Sequence, residues 1–314
     1  MSTLHSTDLP KTLSEFPDAR EAPHSVGLDP DRLALIGGWM DRYVESGRLP
    51  YAMTLIVRGG EIAYLDARGS TDPETGEPVA IDHLNRICSM TKPVVTVAAL
   101  SLYEEGRFQL DDPISRVLPE FTAPRIHISG NGADMQTRPA DGPITIRQLM
   151  THTAGFTYGF ADPGPIGQAY RDNNVQFAPS TESLAEAVRR AAHVPLCFEP
   201  GSRWTYSIAT DILGRLVEVV AGKPLAEVLA ERILTPLGMD DTWFGCPTDQ
   251  AGRLAACYEK TEAGGMKRVE DRSSSKFLGH SAMQSGGGGL ISTMPDYLRF
   301  MEMLRRGGTL GTAR

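Results

Sequence analysis

Two apolar strands meeting at Gly59-Gly60 constrain the fold of this chain more than any other feature. The run at 52–69, AMTLIVRGGEIAYLDARG, reads as a β-hairpin. Paired glycines supply the positive φ angles that a tight turn between twisted strands requires. Before the hairpin, Asp29 is suited to cap a helix and Pro30 to open it. Leu33, Ile36, Trp39, Met40, Tyr43 and Val44 then recur at helical spacing until Gly47. After it the pattern turns helical. Residues 89–106 carry Val94, Val95, Ala98, Ala99, Leu100 and Leu102 on a helix, and 107–205 is rich in turns and short helices. A further helix at 208–221 stops at Gly222, Pro224 opens the next, and a last one spans 294–306. No internal repeat or low-complexity tract interrupts this order. A hairpin, many helices and few βαβ units predict an α+β architecture with a mainly helical insertion. The expected parts are an N-terminal arm at 1–28, a sheet domain from 29–88 with 285–314, and a mainly helical domain at 89–284.

At 314 residues, with 41% hydrophobic and 22% charged side chains, the chain has room for a core and reads as soluble and globular. Its net charge of −8 argues against a nucleic-acid or anionic-membrane binder, either of which needs a basic face. No apolar run is long enough to span a bilayer. The N-terminal MSTLHSTDLPKTLSEF lacks the apolar core of a secretory signal. Cys88, Cys197, Cys246 and Cys257 form no CxxC pair, so they are expected to be reduced thiols in a cytoplasmic protein.

The most informative stretch for chemistry is Ile87-Cys88-Ser89-Met90-Thr91-Lys92-Pro93. Residues i and i+3 share a helical face, which brings the Lys92 amine towards the Ser89 hydroxyl. Desolvation in apolar surroundings favours a neutral amine able to activate a serine. A serine at a helix N-terminus also meets unpaired N–H groups and a dipole that favour a developing anion. The Pro93 ring would clash with the carbonyl of Ser89, so the helix should not extend far before that residue. Alone, S-x-x-K is a weak pattern, better read as an N-cap serine with a solvated lysine.

The context decides between these readings. Segments SMTKP at 89–93, IRQLMTHTAGF at 146–156, PGSRWTYSIATDILGRLVE at 200–218, PLGMDDTWF at 236–244 and GGGGLISTMPDYLRFMEML at 286–304 resemble the serine β-lactamase and penicillin-binding-protein superfamily. The resemblance is greatest to its esterase branch, the family VIII carboxylesterases, which are similar to class C β-lactamases. It implies a β-lactamase-like α+β fold, an antiparallel sheet flanked by helices with a mainly helical inserted domain. Ser89 would be the acyl-accepting nucleophile, Lys92 its proton-transfer partner, and Tyr206 the tyrosine of the family's Y-x-N motif, here Tyr206-Ser207-Ile208. A phenol, with a pKa near about 10, becomes a usable base where a cation stabilises its phenolate. Ile208 replaces the usual Asn. It cannot bond a substrate amide and is expected to offer an acyl or alcohol group apolar contact instead, which favours esters over lactams. The implied partner is a small-molecule ester, with no nucleic acid, membrane, cofactor or metal. β-Lactamase or DD-peptidase activity and acyl transfer to another alcohol are the nearest alternatives. Family chains also continue beyond the 294–306 helix into strands that carry a third motif and a second oxyanion N–H. The sequence ends at Arg314, so a truncated, catalytically impaired binding protein is the reading from another class.

Other constellations have plainer explanations. Gly279-His280-Ser281-Ala282-Met283 lacks the final glycine of a nucleophile elbow and reads as a loop serine. His152 reads as a structural histidine bonding backbone at a helix end, and Cys88 as a packed thiol. The Asp111-Asp112 and Asp240-Asp241 pairs read as turn and cap residues, and Gly286–Gly289 as a place of backbone crowding or a turn. Phe156, Tyr158 and Phe160 are candidates to line an acyl pocket. No histidine spacing indicates a metal site.

Overall fold

The computed structural model describes residues 11–262 and 264–313. These form two compact units, 11–85 with 246–278 and 292–313, and 86–245 with 279–291.

In the first unit, helix α1 (Pro30–Glu45) begins where Asp29 accepts from the N–H groups of Asp31 and Arg32 at 2.9 and 3.3 Å. This satisfies donors that have no partner inside the helix. Strands β1 (Tyr51–Arg58) and β2 (Glu61–Asp72) pair antiparallel with Leu55 opposite Leu65, and the short β3 (Glu77–Pro78) adds to the other edge of β2. Gly59 and Gly60 both take positive φ, 67° and 99°, at the turn between them. The expected hairpin is present.

Of the arm expected at 1–28, residues 1–10 lie outside the described residues. Residues 11–28 do not simply lie over the surface: Leu13 and Phe16 are buried with Ile62, Ile81 and Leu298, and Asp18 bridges to Ile62. Two apolar side chains in a polar stretch suffice to draw it into the core. Residues 246–278, expected in the helical part, also belong to this unit. Their hairpin (Cys257–Lys260 with Met266–Glu270) is tied down by Tyr258 Oη, which donates to Asp72 Oδ1 at 2.7 Å, and by Arg268, which pairs with Asp72 and Glu74 at 3.1 and 2.7 Å.

The second unit is mainly helical. Helix α2 (Thr91–Glu104) follows a 3-10 turn at Cys88–Met90, in keeping with the block that Pro93 sets on helix before Ser89. Helices α3 (Ile146–Met150), α4 (Pro165–Asp172) and α5 (Leu184–Ala191) come next, then α6 (Ala209–Ala221), closed by Gly222 at φ 70°. Helix α2 packs on α6, and Val95 and Ala99 of the one and Leu213 and Leu216 of the other are fully buried. Residues 285–291, expected in the sheet domain, lie in this unit, with a turn at 286–288 close against the start of α6. No helix among the described residues is long and apolar enough to cross a membrane.

Candidate active site

Three of the residues singled out by sequence converge in the second unit. Lys92 Nζ donates to Ser89 Oγ at 3.1 Å, as the i, i+3 spacing predicts, and to the Gly287 carbonyl at 2.6 Å. Tyr206 lies just before α6, and its hydroxyl donates to the same Ser89 oxygen. Ser89 is exposed while Lys92 is buried. The ammonium also lies over the Tyr206 ring, 4.6 Å from its centroid, and 5.6 Å from that of Tyr158. Such contacts help to hold the amine in place.

The tyrosine is fixed by its surroundings. His152, at φ 56° just past α3, packs its ring tilted against Tyr206, 5.1 Å between centroids, and meets the Ser207 hydroxyl at 3.1 Å through Nδ1. It therefore bonds a side chain rather than the expected backbone group. Burial, helped by the Lys92 charge, lowers its pKa to about 4, which leaves the ring neutral at ordinary pH. Tyr158 also packs on Tyr206, at 5.5 Å, and burial raises its phenol above the usual range.

Ser89 opens onto a cavity of about 560 Å³ whose apolar lining includes Tyr158, Phe160, Val175, Phe177 and Ala178. Phe156, the third aromatic considered for this pocket, is instead core, packed edge-on against Phe121 at 5.9 Å. Two other expectations are corrected. Ile208 is 1% exposed and absent from the cavity lining, because at the start of α6 its side chain is drawn into the core, so it offers a substrate no contact. Cys88 is not packed. It is exposed, with φ 45°, and faces the cavity beside Ser89, since the turn that presents the serine turns it outward as well. Ser281 is a loop residue whose hydroxyl donates to the Met283 carbonyl. Among the described residues, no cluster of histidine, cysteine or acidic side chains is arranged to hold a metal ion.

The glycine run behaves as backbone crowding predicts. A Cβ on Gly286 would stand 2.5 Å from the Thr210 carbonyl oxygen, and one on Gly287 2.4 Å from Asp211 Oδ2. Asp211 is the residue that sequence reading missed. It sits in the first turn of α6, 1% exposed, and accepts from Ser285 Oγ at 2.5 Å and from the Gly287 N–H at 2.9 Å. The signal was present: Asp211 falls i+3 from Ile208 and next to Ile212, on the apolar stripe of its helix, where a lone charge is out of place.

A hydroxyl held by an amine and a phenol thus stands at the mouth of an apolar cavity. Comparison with known proteins gives the family: the Beta-lactamase family matches residues 37–314, and the chain belongs to it. It is 37% identical over 270 residues to Protein Rv1367c of Mycobacterium tuberculosis, covering 86% of this chain and 66% of that one. It is 33% identical over 303 residues to Esterase EstB of Burkholderia gladioli, covering 90% and 73%. Among solved structures it is similar to EstCE1, a hydrolase with promiscuous acyltransferase activity, at a TM-score of 0.76 and 32% identity over 90% of this chain and 74% of that one. The chain thus spans about two thirds to three quarters of the length of these relatives.

Proposed function

We propose that the chain is a serine hydrolase that cleaves carboxylic esters through an acyl-enzyme. The observation that carries this reading is the meeting of Lys92 Nζ and Tyr206 Oη on Ser89 Oγ at the apolar cavity. Ser89 Oγ attacks the ester carbonyl carbon, and its proton passes to Lys92 or Tyr206, whichever is deprotonated. The Ser89 N–H, at the N-terminal end of the helix, helps to hold the negative oxygen. The carbon–oxygen bond to the alcohol then breaks, the alcohol leaves with a proton, and the acyl group stays on Ser89. Water adds to that acyl carbon, the acid departs and Ser89 regains its proton. A second alcohol in place of water would give acyl transfer, an outcome favoured by the similarity to EstCE1. The mainly apolar lining favours an ester with an apolar acyl or alcohol group. Four free thiols fit a reducing compartment, so we place the protein in the cytoplasm.

Turnover of p-nitrophenyl butyrate and of a chromogenic cephalosporin, measured beside Ser89→Ala, tests this reading. Ester turnover that disappears in the variant supports it. Dominant cephalosporin turnover moves it to lactam hydrolysis. No turnover, with no adduct from a serine-directed probe, leaves a binding protein.

A further inference from the structure

The contacts of Asp211 form a chain that ends on the nucleophile. Its Oδ1 holds both the Ser285 hydroxyl and the Gly287 N–H, the Gly287 carbonyl receives Lys92 Nζ, and Lys92 Nζ reaches Ser89 Oγ. We propose that Asp211 is a positioning residue of this site: its carboxylate clamps the 285–287 turn and so sets the Gly287 carbonyl that holds Lys92 against Ser89. The proposal rests on the ester-hydrolase reading above.

Two independent features show that the clamp is not ordinary core packing. The turn approaches α6 so closely that neither Gly286 nor Gly287 has room for a Cβ, the latter because Asp211 Oδ2 occupies the space. That same Oδ2 is buried and has no hydrogen-bond partner among the described residues. A buried carboxylate oxygen left unpaired is unfavourable for the fold. Burial accordingly holds the Asp211 carboxyl up at about 6, against the pull of Ser285, Gly287 and Lys92. A charge kept at a cost to stability, one step from the catalytic amine, is the pattern of a residue retained for the site rather than for the fold. A carboxylate accepts more strongly than an amide, so an Asn of the same shape loosens the clamp without emptying the space.

The test compares wild type, Asp211→Asn, Ser285→Ala, the double variant and Ser89→Ala on p-nitrophenyl butyrate, each with its melting temperature. Asp211→Asn should lower kcat by about 10- to 100-fold, the scale of a displaced catalytic group, with KM within about twofold and no fall in melting temperature. Ser285→Ala, which removes one arm of the clamp, should lose less. The double variant should be no slower than Asp211→Asn, because both changes break one linkage. Additive losses, a loss confined to KM, or a loss that follows a falling melting temperature would overturn the proposal. An Asp211→Asn variant as fast as wild type while Ser89→Ala is inactive overturns this proposal alone. A wild type no faster than Ser89→Ala removes the ester-hydrolase reading and this proposal together.

Discussion

Asp72 in the first unit and Asp211 in the second are both deeply buried, and the two are treated in opposite ways. In the first unit Asp72, 2% exposed, has both oxygens engaged, by Tyr258 and Arg268, and its Oδ1 also takes the Glu74 N–H at 3.1 Å. Burial pushes its carboxyl up, but Tyr258, Glu74 and Arg268 outweigh burial and hold it below the ordinary range. In the second unit Asp211 is as deeply buried, yet one oxygen is unpaired and its carboxyl is pushed up to about 6. A charge whose partners repay its desolvation ties strands together. One whose partners do not repay it is linked through Gly287 and Lys92 to the Ser89 hydroxyl.

The largest effect should come at the hydroxyl itself. Ser89→Ala should reduce ester turnover by at least about a thousandfold, as removal of a covalent nucleophile does, while leaving the melting temperature near that of wild type. Tyr206→Phe, which keeps the ring packing and removes only the hydroxyl that reaches Ser89, should cost about 10²- to 10⁴-fold in kcat, the range for a lost proton-transfer group. Either variant retaining full turnover would place the chemistry elsewhere than in the Asp211 region.

The aspartates themselves separate on stability. Asp72→Asn should destabilise the protein by about 1–3 kcal/mol at pH 7 and leave ester kcat unchanged, because it weakens a satisfied network remote in role from the hydroxyl. Since its folded pKa is depressed, the contribution of Asp72 is present above the ordinary carboxylate range and is lost as pH falls through the folded value. Asp211 has the opposite sign. Its raised pKa makes the ionised form a burden on the folded state at pH 8, and that burden is relieved as pH falls through about 6 towards the unfolded value of 3.8. Lys92 and Tyr158 are the other titratable groups facing it. Asp211→Asn should therefore match or exceed wild-type stability at pH 8, by at most about 3 kcal/mol, and lose that advantage near pH 4. Chemical denaturation of both variants across this range checks the pair. Equal signs would erase the distinction.

The smallest effect belongs to His152. With its pKa lowered to about 4 the ring stays neutral, so the pH–rate profile above about pH 5.5 should carry no ionisation of this residue. His152→Gln should lower the height of that profile by less than about tenfold without changing its shape. A lost limb near neutral pH would make His152 a participating base.

What local pattern could reveal, the sequence did reveal. The Gly59-Gly60 turn, the cap at Asp29 and the Ser89–Lys92 pair each depend on residues a few positions apart, and each stands where spacing puts it. Tyr206 came from family resemblance, since nothing local says that it will meet a serine over a hundred positions earlier. Long-range burial was the part out of reach. Ile208 and Cys88 exchanged the environments expected of them because the start of α6 and the turn before Ser89 are oriented by tertiary packing. Leu13 and Phe16 joined the core from a stretch with no periodicity. Asp211 alone left a readable trace, a carboxylate on an apolar helical stripe.

The account depends most on a covalent acyl group at Ser89. Quenching the protein with acid during turnover of p-nitrophenyl butyrate, followed by peptide mass spectrometry, measures that directly. The predicted result is a butyryl increment on the peptide carrying Ser89 and none in Ser89→Ala. Ester turnover with no acyl increment at Ser89, or with the increment on Cys88 or another residue, would contradict it.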